Sequence, residues 1–105
     1  MDYKVIVTKD AHDDVDEALD YIANRLQNPI AAKNLLDKIE EAYNELEFNP
    51  YMYQECSNER LQGKGYRKVV VKNYIIIYCV NDNEKTVYVL RMFYGRRDYA
   101  KLIWV

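Results

Sequence analysis

The sequence is poor in the residues that build catalytic centres. It holds one histidine, two cysteines and three glycines in 105 residues. A single histidine, His12, with no partner at metal or triad spacing reads as a solvated surface residue on an acidic first helix turn. Cys56 and Cys79 show no CxxC or CxxH spacing, so reduced, structural thiols are expected rather than a disulfide or a zinc site. No GxGxxG, Walker loop or HExxH occurs, and Gly63-x-Gly65 is too short and wrongly placed to cradle a phosphate. No cofactor and no catalytic metal are expected. Long apolar runs are missing as well. "IIIYCV" at 75–80 is among the longest, far below the ~20 residues that cross a bilayer. The opening "MDYKVIVTKD" lacks a basic n-region and a cleavage site, so no export signal is read and a cytoplasmic location is expected.

What is present is an ordinary globular composition, half hydrophobic and 30% charged, on a length that suits one domain over 1–105. Eleven tyrosines stand out. Tyrosine carries apolar area and a hydroxyl together, and so serves both interfaces and half-buried sheets. The net charge of −2 conceals a division: residues 1–59 hold 14 acids and 5 bases, residues 60–105 hold 3 acids and 10 bases. The two halves either form an acidic and a basic side or pair with each other and cancel.

Along the chain, "YKVIVT" at 3–8 reads as a strand, with Asp10 placed to cap the helix that follows. That helix is predicted from about Ala11 to Leu26, its apolar stripe being Ala11, Val15, Ala18 or Leu19, Ile22 and Leu26. Asn28 and Pro29 open a second helix that must stop by Asn49, ahead of Pro50. Its stripe is Ala32, Leu35, Leu36, Ile39, Ala42, Tyr43 and Leu46. The short link at Gln27–Asn28 makes the pair an antiparallel hairpin. After a polar loop at 51–64, "YRKVVV", "YIIIYCV" and "TVYVLRMFY" read as a three-stranded antiparallel meander. The fold class is α+β, in the order β-α-α-β-β-β, with the helical hairpin packed on one face of a mainly antiparallel four-stranded sheet. A short C-terminal helix over Tyr99–Ile103, capped by Asp98, is expected to follow.

Acidic pairs such as Asp13/Asp14 and Glu40/Glu41 lie on helices with clear apolar stripes, which makes them a solvated face. The basic set is Arg60, Lys64, Arg67, Lys68, Lys72, Arg91, Arg96, Arg97 and Lys101, interleaved with Tyr66, Tyr74, Tyr94 and Tyr99. Alternation puts Val69 and Val71 on one side of their strand and Lys68, Val70 and Lys72 on the other. On the last strand it sets Tyr88, Leu90 and Met92 against Val87, Val89, Arg91 and Phe93. A mixed Lys/Arg/aromatic surface on the sheet face away from the helices is the result. It suits RNA, through charge and stacking, or an acidic peptide, and Lys68 and Lys72 also serve simply to discourage edge aggregation.

The order of elements, with "NPIAAKNLLDKIEEAYNEL", "GYRKVVVKNYIIIYCVND" and "VYVLRMFYGRRDY", resembles the RelE/ParE superfamily, the toxin halves of bacterial type II toxin–antitoxin modules, often called plasmid stabilisation systems. The resemblance covers nearly the whole chain. It implies a protein that inhibits growth when free and is held inactive by an antitoxin whose C-terminal segment wraps around it. RelE-like members cut mRNA in the ribosomal A site with basic residues and, in some, a tyrosine; ParE-like members poison DNA gyrase. Carried onto this sequence, the cutting pattern implies Arg67 and Arg96 on the scissile phosphate and Tyr99 as proton-transfer group. The position after Tyr74, commonly an arginine in the cutters, is Ile75. With the strand-ending "RRD" at 96–98 and a pI near 5.4, this departure points to the ParE branch. The expected function is therefore a ParE-like toxin acting on gyrase. The alternatives are a ribosome-dependent endoribonuclease, or an inactive module that only binds antitoxin. Lys64, Lys68, Lys72, Arg91, Arg97 and Trp104 are the residues expected to bind target or antitoxin, Trp104 within an apolar end, Leu102–Val105, that otherwise packs back on the core.

Overall fold

The computed structural model describes residues 2–53, 55–56 and 65–95. Its first strand, β1, is Lys4–Val7, and α1 follows at Lys9–Asp20. The cap is Thr8, not Asp10. Thr8 keeps extended backbone at φ −66 and ψ 162, and its hydroxyl oxygen accepts from the Ala11 N–H at 3.3 Å. That geometry is what a cap needs, whereas Asp10 is already helical and sits in the first turn, where its charge suits the positive end of the helix dipole.

The predicted helix to Leu26 is α-helical only to Asp20. Tyr21–Arg25 winds as one π-helical turn, closed by the Leu26 N–H to the Tyr21 carbonyl at 3.0 Å. The wider turn rotates Leu26 off the apolar stripe and leaves it 57% exposed. Gln27 then takes a left-handed φ of 51°, and the Asn28 N–H returns to the Ile22 carbonyl at 3.0 Å. Helix α2, Pro29–Phe48, begins and ends as its sequence predicts, with the Asn28 side chain accepting from the Ala31 N–H at 3.1 Å. Ala32, Leu35, Ile39, Ala42 and Leu46 are its buried stripe, flanked by half-buried Leu36 and Tyr43.

Strands β2 (Tyr66–Val71), β3 (Tyr74–Asn81) and β4 (Thr86–Tyr94) form the antiparallel meander. Sheet order is β1-β4-β3-β2, with β1 parallel to β4 at the edge. The main core lies between helices and sheet and unites Val15, Leu35, Ile39 and Leu46 with Val69, Val71, Ile76, Tyr78, Val87, Val89 and Met92. Full burial of an aliphatic side chain of this size stabilises by about 1.5–3 kcal/mol, so these contacts dominate the fold.

One residue alters which side chains share a face. Ile77 pairs with Arg91 and Tyr78 with Val89, so Leu90 is an extra residue in β4, a bulge. Strict alternation predicts Met92 opposite Val87 and Val89. The bulge instead brings Met92 onto their side, in the main core, and sends Phe93 to the other. The face away from the helices is therefore no open basic surface near β3 and β4. Cys56, Ile77 and Phe93 are buried there as a second apolar cluster, with Tyr66, Ile75 and Leu90 packed against it. Cys56, predicted in a polar loop, is 2% exposed.

Candidate functional site

β1 stops at Val7, opposite Val89, while β4 runs on to Tyr94. The last residues of β4 thus have no strand on that side, and the helical hairpin crosses the gap. Asp14 of α1 closes the near end. Its carboxylate accepts from Arg91 Nε at 2.7 Å, from Arg91 Nη2 at 3.2 Å and from the Met92 backbone N–H at 2.9 Å. Its side chain is only 16% exposed, so Asp14 is not part of the solvated face predicted for the Asp13/Asp14 pair; Asp13 is, paired with Lys9 at the surface. The Asp14 carboxylate holds the Arg91 guanidinium above the usual arginine pKa.

Beyond this pair lies an open groove of about 900 Å³, framed by α1, the π turn, the start of α2 and the ends of β3 and β4. Leu35, Tyr74 and Met92 line it, and Tyr21, Leu26 and Tyr94, 50%, 57% and 58% exposed, form its apolar lips. The Tyr74 and Tyr94 rings meet edge to face, 5.2 Å between centroids. Burial pushes the Tyr74 phenol above its ordinary pKa. At the far end the Gly95 N–H donates to the Asn73 carbonyl at 2.6 Å, with Gly95 at a φ of 67° that a side chain disfavours.

At the opposite end of the sheet a second constellation gathers around Arg67. Arg67 Nη1 donates to the Tyr53 carbonyl at 2.7 Å, and the guanidinium lies over the Tyr51 ring, 4.9 Å from its centroid. Tyr51 and Tyr3 both donate to Asp82, the Tyr3 hydroxyl at 2.9 Å, and Tyr53 donates to Glu45. The Tyr78 hydroxyl donates to the Pro50 carbonyl at 2.6 Å from within the core. Tyr51 is pushed up to about 12 chiefly by its bond to the Asp82 carboxylate, which is itself held below the usual range by the two phenols. Tyr53 reaches about 12 through burial first and Glu45 second.

The residues singled out from sequence are therefore dispersed. Arg67 and Arg91 are turned to structural partners. Lys68 is half-buried on β2 opposite Ile77, and Lys72 is exposed at the edge of the groove, in a turn, at a φ of 56°. Arg96, Tyr99, Lys64, Arg97 and Trp104 lie outside the described residues, as does the expected C-terminal helix. No group of three or more metal-ligating side chains occurs among the described residues, and no helix among them is long and apolar enough to cross a membrane. Sequence reasoning missed the groove itself. The signal was Leu26, an apolar residue at the stripe's end next to Gln27–Asn28, and the tyrosines on either side of it.

A family model described as the ParE toxin of the type II toxin–antitoxin system parDE matches residues 5–99. Among solved structures, the chromosomal ParDE system of P. aeruginosa superposes with a TM-score of 0.72 at 18% identity, over 90% of this chain and 98% of that one. The RelBE2 toxin–antitoxin complex of Mycobacterium tuberculosis gives 0.62 at 20% identity, over 90% and 99%. The archaeal RelE–RelB complex of Pyrococcus horikoshii gives 0.61 at 19%, over 92% and 99%. At these identities the likeness is one of fold. Among curated proteins none matches this sequence.

Proposed function

Because the chain belongs to the ParE toxin family of type II toxin–antitoxin systems, we propose that it arrests growth by binding DNA gyrase, without cutting RNA, and that an antitoxin segment silences it by lying in the groove. The observation that carries the target is the state of Arg67. An RNA-cutting site needs this guanidinium aimed at a phosphate, with positive charge around it. Here it donates to the Tyr53 carbonyl and covers Tyr51, whose hydroxyl in turn donates to the Asp82 carboxylate. Arg91, the other described arginine of the basic set, is held by Asp14.

The antitoxin's place is supported by the lips of the groove. Tyr21, Leu26 and Tyr94 expose apolar area around a concave, partly apolar floor, which suits an amphipathic segment that orders as it binds. This replaces the basic sheet face expected from sequence, of which, among the described residues, Lys72 and the Asp14-bound Arg91 reach the groove. The test is to add purified toxin to gyrase and relaxed plasmid, and to follow mRNA integrity after induction in cells. Blocked supercoiling with intact mRNA is the expected result. Unaffected supercoiling at saturating toxin, or cut transcripts, overturns the gyrase reading and favours the ribosome-dependent alternative with Arg96 and Tyr99.

A further inference from the structure

The turn Pro50–Tyr53 is held more tightly than a surface connection requires. Pro50 is fully buried and its carbonyl takes the Tyr78 hydroxyl; Met52 N–H returns to the Asn49 carbonyl at 3.3 Å; the Tyr53 carbonyl takes Arg67. Tyr51 and Tyr53 spend their hydroxyls on Asp82 and Glu45. Yet the side chains this framework presents are apolar and outward. Phe48, Tyr51 and Met52 are 60%, 43% and 53% exposed within five positions. Three large apolar groups, one closing α2 and two on this hydrogen-bonded turn, form a preformed anchor, since little backbone entropy is left to lose on docking. Tyr, Phe and Met are also among the side chains enriched at protein interfaces.

Charge narrows the partner. Among the described residues the anchor is bordered by Asp2 and Glu47, whose backbones bond to each other, by Glu45 and Asp82 under the tyrosines, and by Glu55, bridged to Arg67. Among the described residues the cations here are fewer: Arg67 and Lys85, over the Tyr51 and Tyr3 rings, and Lys4, whose backbone N–H donates to the Lys85 carbonyl. An excess of carboxylates repels a nucleic acid and attracts a basic protein surface.

We propose that Phe48, Tyr51 and Met52 are the anchor by which this protein docks onto its target, entering an apolar pocket bordered by lysine or arginine on a protein. The inference rests on the reading that the target is a protein, and it assigns that contact to the end of the sheet opposite the groove. Target and antitoxin then meet different ends of the molecule.

The experiment compares wild type with Phe48→Ser/Met52→Ser, Met52→Lys and Met52→Glu, each checked for an unchanged far-ultraviolet spectrum and thermal midpoint. Inhibition of purified gyrase, growth arrest on induction and mRNA integrity are read side by side. The double variant is expected to need roughly tenfold more protein for the same inhibition, and Met52→Lys is expected to lose more than Met52→Glu. Folded variants that inhibit and arrest growth like wild type overturn the proposal, as does an equal loss from Lys and Glu. If wild type leaves gyrase untouched while the double variant loses growth arrest with mRNA intact, the gyrase reading fails and the docking face stands. If transcripts are cut by wild type and spared by the double variant, the face serves RNA and the proposal falls.

Discussion

Asp14 on α1 and Arg91 on β4 form a two-point ion pair, with contacts of 2.7 and 3.2 Å, and the same carboxylate also caps the Met92 N–H. One side chain thus supplies the hydrogen-bond partner that β1, ending at Val7, does not. Replacing Asp14 by Ala takes the carboxylate away from a half-buried guanidinium and the acceptor away from the Met92 N–H. The expected loss is about 2–3 kcal/mol. It should appear as a lower urea midpoint, and Asp14→Asn, which still accepts the N–H, should lose less.

Arg67 provides a test of structure against chemistry. If its role is to hold the turn, Arg67→Ala lowers stability by about 1–3 kcal/mol, the range for a charge-assisted bond to a backbone carbonyl. Amide exchange should then quicken at 50–56. A catalytic arginine would instead leave stability and exchange unchanged.

Tyr43 has a buried hydroxyl with no hydrogen-bond partner among the described residues, and burial pushes its pKa from 10.0 up to about 12. The folded state therefore holds the phenol's proton more tightly than the unfolded chain does. The group thus leaves stability unchanged with pH below pH 10 and lowers it as pH rises from 10 toward about 12, where the unfolded chain ionises first. Tyr43→Phe removes an unpaired polar atom, so it should raise stability by about 1 kcal/mol at neutral pH and flatten the alkaline decline. Denaturant titrations on both sides of that window measure it.

Lys72 and Lys85 occupy left-handed backbone at φ 56° and 51°. Lys85→Gly relieves that strain but gives up the ammonium over the Tyr3 ring, worth about 0.5–1 kcal/mol, so little net change is expected. Lys72→Gly should gain about 0.5 kcal/mol, and because it also removes the groove's lysine, its effect on antitoxin binding reports charge apart from fold.

The groove reading predicts that Leu26→Asp with Tyr94→Asp weakens antitoxin binding by roughly tenfold or more, as loss of central apolar anchors does. Both side chains are more than half exposed, so stability should fall only by about what the Tyr74–Tyr94 ring pair contributes, about 0.5–1.5 kcal/mol. Calorimetric titration with the antitoxin decides it.

The three meander strands and α2 were legible in sequence to within a residue, because their signals are local: β-branched runs, a cap, a proline, an apolar period. What escaped was non-local or depended on one residue of phase. Nothing in "YVLRMFY" marks Leu90 as the bulge, since each of those residues suits a strand on either face. Asp14 looked like its exposed neighbour Asp13 because only the fold brings Arg91, 77 positions later, against it. Arg67 likewise meets Tyr53 through the return of β2 alongside the turn. The family was legible through the order of elements, whereas the site was not, because the conspicuous basic residues are partly employed in holding the fold.

The extra residue at Leu90 also sets how the chain can tolerate length changes. Deleting it would make Val89 and Arg91 neighbours, still opposite Tyr78 and Ile77, so Met92 would stay in the main core and Phe93 in the second cluster. One more residue inserted after Arg91 would instead exchange them and cost both clusters a member. Adding a residue in the 82–85 turn would disturb neither. A single insertion after Arg91 should thus be more harmful than loss of Leu90 or a longer insertion in the hairpin, and natural length variation in such proteins is expected to collect at the bulge and the turn.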